Sequence, residues 1–124
     1  MKLQNDKYYT PTELANYCWD KVFDVVGEEN ISEIIEPSVG NGSFLHHKEQ
    51  LPHFAYDIEP ECESNFTHIF KQDYLSADIK YLWGRLVIGN PPYGRCLNMA
   101  QKFFKKSVEI ADTIAFILPI SQLN

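Results

Sequence analysis

The sequence predicts an α/β fold built on a mostly parallel, doubly wound sheet, and three observations carry that prediction. Five short apolar runs alternate with helical or looped segments, which is the signature of strands joined by crossovers. The first four runs each end in a polar, chemically useful group. Repeats, low-complexity tracts and linkers are absent from the pattern, so residues 1–124 read as one domain with one core.

The elements follow in order. "TPTELANYCWDKVFDVV" predicts a helix with Thr10 as N-cap, Pro11 at the first helical position, Glu13 in the first turn and an apolar stripe of Leu14, Cys18, Val22 and Val25. "ISEIIEP" predicts a short buried strand ending at Glu36, and "SVGNGSF" a loop entering a short helix. "PHFAYDIEP" is a second strand ending in acid, with a brief helical piece from Glu61 to Phe66 after it. "THIFKQDYL" is the third strand and also ends in acid. "WGRLVIGN" is the fourth, "LNMAQKFFKKSVEIA" a second helix, and "DTIAFILP" a fifth strand. Between Gly42 and the second strand there is room for only a short helix, less than a full crossover usually needs. Trp19, Phe103 and Phe104 sit at helical spacing and read as core.

Bulk properties exclude several functions. A formal net charge of −6 argues against a free-standing basic DNA clamp, because phosphate neutralisation needs clustered Lys and Arg. Arg95, Lys102, Lys105 and Lys106 offer local phosphate contacts or an ordinary solvated helix face. Cys18, Cys62 and Cys96 are too widely spaced for a zinc site or a disulfide framework and read as reduced, partly buried thiols of a cytoplasmic protein. Cys96 has no partnered base, which argues against a nucleophilic role. His46, His47, His53 and His68 lack ligand spacing, so no metal site is expected, and no run reaches membrane-spanning length.

Chemistry concentrates where the strands stop. In a parallel sheet the strand ends share one edge, the edge at which such folds bind ligands. "EPSVGNG" supplies Glu36, Pro37 and the glycines Gly40 and Gly42, which let backbone approach a ligand closely; it is also ordinary loop composition. "YDIEP" supplies Asp57, placed to accept from ribose hydroxyls, while Glu59 and Glu61 suit helix capping. "QDYL" supplies Asp73, a candidate acceptor for an exocyclic amine or a solvated turn residue, with Ile58 and Leu75 as apolar plates. "LVIGNPPYG" breaks a strand at Asn90, Pro91, Pro92 and Tyr93: an amide, two carbonyls held by rigid rings and an aromatic face. The plain alternative is a stiff proline turn with a packing tyrosine.

Taken together, "YYTP" (Tyr8 to Pro11), "EPSVGNG", "YDIEP", "QDYL", "NPPY" and "FILP", in this order, resemble the S-adenosylmethionine-dependent amino methyltransferases, most closely the DNA adenine-N6 enzymes of the gamma arrangement. The resemblance implies a Rossmann-like class I methyltransferase fold, here truncated after strand five. It implies S-adenosylmethionine held by Tyr9, Thr10, Glu36, Pro37 and the Gly40–Gly42 loop, with Asp57 on the ribose and Asp73, Ile58 and Leu75 about the adenine. Asn90 and the Pro91 carbonyl, with Pro92 beside them, would accept the hydrogens of the target amine, and Tyr93 would stack on a flipped adenine of DNA. A target-recognition region would come from elsewhere, and the setting would be restriction–modification. "NPPY" also serves methyltransferases acting on RNA or protein glutamine, and "YYTP" is what favours the DNA enzymes. A non-catalytic module binding the cofactor or a partner is the remaining alternative.

Overall fold

In the computed structural model, residues 9–45 and 51–119 are described. Tyr8 of "YYTP", His46 and His47 lie outside them. Helix α1 (Thr12–Val26) precedes strand β1 (Glu33–Glu36). Strands β2 (His53–Asp57), β3 (His68–Lys71) and β4 (Arg85–Gly89) follow, then helix α2 (Asn98–Ile110) and strand β5 (Thr113–Phe116). The sheet order is β3-β2-β1-β4-β5, and every pair of neighbouring strands is parallel. Order reverses between β1 and β4, which opens a crevice beyond their carboxyl ends.

Period-two alternation explains the layers. Ile34, Leu86 and Ile88 turn to the α1 side, where Ala15, Trp19 and Val22 cover them. Ile35 and Val87 turn to the α2 side, beneath Phe103 and Ile110. β4 is buried at all five positions, as expected of a continuous apolar run in a parallel sheet covered on both faces. Fully burying each of its large aliphatic side chains contributes roughly 1.5–3 kcal/mol.

Several local expectations change. Pro11, not Thr10, is the residue flanking α1, and no side chain caps that helix. The buried stripe of α1 is Ala15, Trp19 and Val22, whereas Leu14 and Val25 are exposed. Trp19 decides the face: burying the largest apolar surface wins, and its indole N–H donates to the Phe44 carbonyl at 3.1 Å. The helix expected from Glu61 to Phe66 is absent. There the Ser64 hydroxyl oxygen accepts the N–H groups of Phe66 and Thr67 at 3.1 and 3.0 Å, a local bond that competes with helix formation. The link after Gly42 holds one short 3-10 turn at Ser43–Leu45 among the described residues. Phe103 is core, but Phe104 faces solvent, and Cys96 is exposed while Cys18 and Cys62 are partly buried.

Candidate functional site

The carboxyl edge carries a cavity of about 260 Å³, close to the lower end of the size range for small-molecule sites. Four strand ends and the segment before α1 converge on it. Of the residues singled out in the sequence, Tyr9, Thr10, Pro37, Gly40, Asp57, Ile58, Asp73, Asn90 and Pro92 line it.

The glycine loop is locked to the end of β2. Gly40 takes a left-handed conformation (φ +56°), and its N–H donates to Asp57 Oδ2 at 2.8 Å. A Cβ placed on Gly40 would meet nothing within 4 Å, so the loop backbone there borders open space. Asp57 Oδ1 accepts the Glu59 N–H at 2.9 Å. Two backbone donors thus fix the carboxylate, and each oxygen keeps lone-pair capacity for a ligand hydroxyl. Ile58, two-thirds exposed, stands beside it as an uncovered apolar surface. Asp73 is the cap of a 3-10 turn, with Oδ1 accepting the Leu75 N–H at 3.0 Å.

The segment before α1 is stitched across this edge. Tyr9 donates its hydroxyl hydrogen to Glu61 Oε1 at 2.6 Å, and the Thr10 carbonyl accepts from the Ser43 hydroxyl at 2.6 Å. Asn90 Nδ2 donates to Thr10 Oγ1 at 3.0 Å, while the Tyr93 hydroxyl donates to Asn90 Oδ1 at 2.5 Å. The Tyr93 carbonyl accepts the Met99 N–H at 3.0 Å, which anchors the proline loop to the start of α2. Asn90 is therefore a side chain whose two amide ends are both directed by neighbours.

Other expected site residues stand off the cavity wall. Glu36 points to the same sheet face as Ile34, under Trp19, and its Oε1 lies 3.0 Å from His53 Nε2. Its side chain has no solvent exposure, Oε2 lacks a hydrogen-bond partner among the described residues, and burial pushes the carboxyl well above the usual carboxylate range. Glu36 is thus turned inward by strand alternation and does not line the cavity. Gly42 lies behind the loop, where a Cβ would sit 3.1 Å from Cys62 Sγ. Leu75 packs with the α2-side core, the Pro91 ring is buried, and Tyr93 flanks Asn90 without lining the cavity.

Burial, reinforced by Glu36, Asp57 and Glu61, pushes the Cys62 thiol up to about 11, so it stays protonated beside the loop. The Lys106 ammonium lies over the Tyr74 ring and donates to the Ala77 carbonyl. Sequence reasoning missed Ser43 and took Glu61 for a helix cap. Both act as anchors for the segment before α1, and that role depends on partners 33 and 52 residues away. Among the described residues no His, Cys, Asp and Glu group is placed to hold a metal ion, and no helix is long and apolar enough to cross a membrane.

Comparison with known proteins bears on this arrangement. No family model matches the chain. Over 103 residues it is 27% identical to the Type II methyltransferases M.HincII and M.HindII of Haemophilus influenzae, covering 81% of this chain and 19% of each relative. The chain thus spans about a fifth of the length of the curated relatives it matches. Among solved structures, the Pyrococcus horikoshii protein PH1948, provisionally assigned as an RNA methyltransferase, superposes with a TM-score of 0.71. That match covers 98% of this chain and 68% of PH1948 at 15% identity. The fold is Rossmann-like, as the sequence predicts, and it is shared with PH1948.

Proposed function

We propose that this chain is the S-adenosylmethionine-binding and catalytic portion of a methyltransferase that acts on the exocyclic N6 amine of adenine in DNA. The observation that carries the reading is the convergence of Gly40, Asp57, Asp73 and Asn90, from four separate strand ends, on one cavity. The similarity to Type II methyltransferases supports the same reaction class. Target recognition is assigned to protein outside these residues, in keeping with a match that covers 19% of each Type II relative and with a net charge of −6.

The residues present suit this cofactor. Open space beside the Gly40 backbone admits a chain of the methionine type, and the Asp57 carboxylate, preorganised by two N–H groups, suits vicinal ribose hydroxyls. Ile58 offers an apolar plate for an adenine ring, and Asp73 lines the same cavity. When bound, S-adenosylmethionine supplies an electrophilic methyl group. The protein's task is to hold the acceptor amine. Its nitrogen lone pair is delocalised into the ring, so it is a poor nucleophile. Asn90 Oδ1 and the Pro91 carbonyl would accept its two hydrogens, favour a pyramidal nitrogen and stabilise the positive charge that grows during transfer. One such preorganised hydrogen bond is typically worth about 2.7–4 kcal/mol. The Tyr93 ring would stack on the flipped base, offsetting part of the cost of unstacking it.

Calorimetric titration with S-adenosylmethionine, followed by transfer of a labelled methyl group to duplex DNA, RNA and a glutamine peptide, tests this. Asp57→Ala is expected to weaken cofactor binding. Asn90→Ala is expected to leave that binding intact and to lower transfer about 100-fold or more. Transfer to RNA or peptide in preference to DNA would move the substrate assignment, and full activity of Asn90→Ala would overturn the mechanism.

A further inference from the structure

A side-chain amide has two unlike ends, and only one suits an amine target. The oxygen accepts N–H, whereas the NH2 group would meet the target's own hydrogens donor to donor. Whatever fixes the rotation of the Asn90 amide therefore decides whether the site can work. Two hydroxyls flank that amide: Tyr93 Oη at 2.5 Å from Oδ1 and Thr10 Oγ1 at 3.0 Å from Nδ2. A phenol is a better donor than acceptor, so its place is on the oxygen, and the nitrogen falls to Thr10. Thr10 is itself held, being 8% exposed with its carbonyl bonded to Ser43 of the glycine loop.

We propose that Thr10 is a positioning residue for Asn90, holding the amide nitrogen so that Oδ1 alone is presented to the target amine, and that the Tyr93 hydroxyl keeps Oδ1 in place until that amine displaces it. This rests on the reading of Asn90 given above. The exchange is one hydrogen bond for another: the phenolic O–H leaves Oδ1, a target N–H takes its position, and the ring is freed to stack. Because Thr10 joins the glycine loop to the proline loop, it also fixes the spacing between the cofactor cavity and the acceptor. The segment before α1 is thus part of the catalytic geometry as well as the cofactor wall.

The test compares Thr10→Val with Thr10→Ser in the full chain. Valine has nearly the shape of threonine without an acceptor, and serine restores the acceptor. In 1H–15N spectra, Thr10→Val is expected to move the Asn90 side-chain amide resonances and to speed their exchange, with Thr10→Ser returning both toward wild type. In methyl transfer to an adenine-containing duplex, Thr10→Val is expected to lower kcat about 10- to 100-fold. The fall in kcat should exceed any rise in the KM for S-adenosylmethionine, which separates positioning from cofactor binding. Unchanged amide resonances in Thr10→Val, or a serine variant that behaves like valine, would overturn the proposal. Retained activity in Asn90→Ala would instead overturn the assignment of Asn90 while leaving the response of its amide to Thr10 intact, so the two failures are distinguishable.

Discussion

At the scale of single residues, Glu36 shows how a site motif and a core position can occupy the same letter. It ends an apolar strand next to the glycine loop, which in sequence reads as a ligand contact. Alternation along β1 instead turns it under Trp19 to His53, a partner 17 residues later that no local pattern announces. Its carboxyl holds a proton well above the ordinary value of 4.5 because burial disfavours the charge. The sign of the pH effect follows. Above that ordinary value the unfolded chain releases the proton while the folded chain retains it, so this residue's contribution to stability is greatest at low pH. It declines as pH rises toward the folded value, at no more than about 1.4 kcal/mol per pH unit for one proton. Glu36→Gln keeps a hydrogen-bonding side chain without that titration. Urea unfolding between about pH 5 and 8 should therefore show the variant gaining stability relative to wild type as pH rises. A pH-independent difference would mean that Glu36 ionises normally in the fold.

At the scale of elements, the legible parts were those whose signals are local. The "LVIGN" run announces a buried parallel strand because both its faces are covered, and the prolines after it can only lie beyond the ladder. The face of α1 was not legible, since Trp19 competes with Leu14 and Cys18 and only the sheet decides which stripe it covers. The missing helix between β2 and β3 was illegible for another reason: Ser64 satisfies the very N–H groups a helix would have used. The glycine loop was recognised as a unit, but its two glycines do different work. Gly42, at φ +89°, backs onto Cys62 and Leu45, so Gly42→Ala adds a left-handed strain of about 1–2 kcal/mol to a steric conflict and should lower the thermal midpoint. Gly40, at φ +56°, borders open space, so Gly40→Asn, a residue that tolerates that conformation, should change the midpoint far less. It should nevertheless weaken S-adenosylmethionine binding by about tenfold or more, since its side chain enters the cavity. Equal stability losses in the two variants would contradict this division.

At the scale of the whole molecule, the site is a property of the sheet order rather than of any segment. Thr10, Gly40, Asp57, Asp73 and Asn90 are far apart in the chain and meet only because β1 and β2 lie on one side of the reversal and β4 on the other. The sequence allowed the strand ends to be grouped on one edge, but not the cross-connections through Ser43, Glu61 and Thr10 that close it, because those need three-dimensional neighbours. A ligand that contacts the ends of β1 to β4 must bind the folded chain alone, and its effect should then be global. At a concentration one hundred times its dissociation constant, S-adenosylmethionine is expected to raise unfolding stability by about 2.7 kcal/mol. The gain should be the same whether unfolding is followed by tryptophan fluorescence, in which Trp19 is the buried reporter on the α1 side and Trp83 is exposed, or by far-ultraviolet dichroism of the sheet and helices. Asp57→Ala should abolish most of the shift at the same concentration. A stabilisation seen by one probe and not the other would mean that the ligand orders only a local region, and that the five strands do not act as one cooperative binding unit.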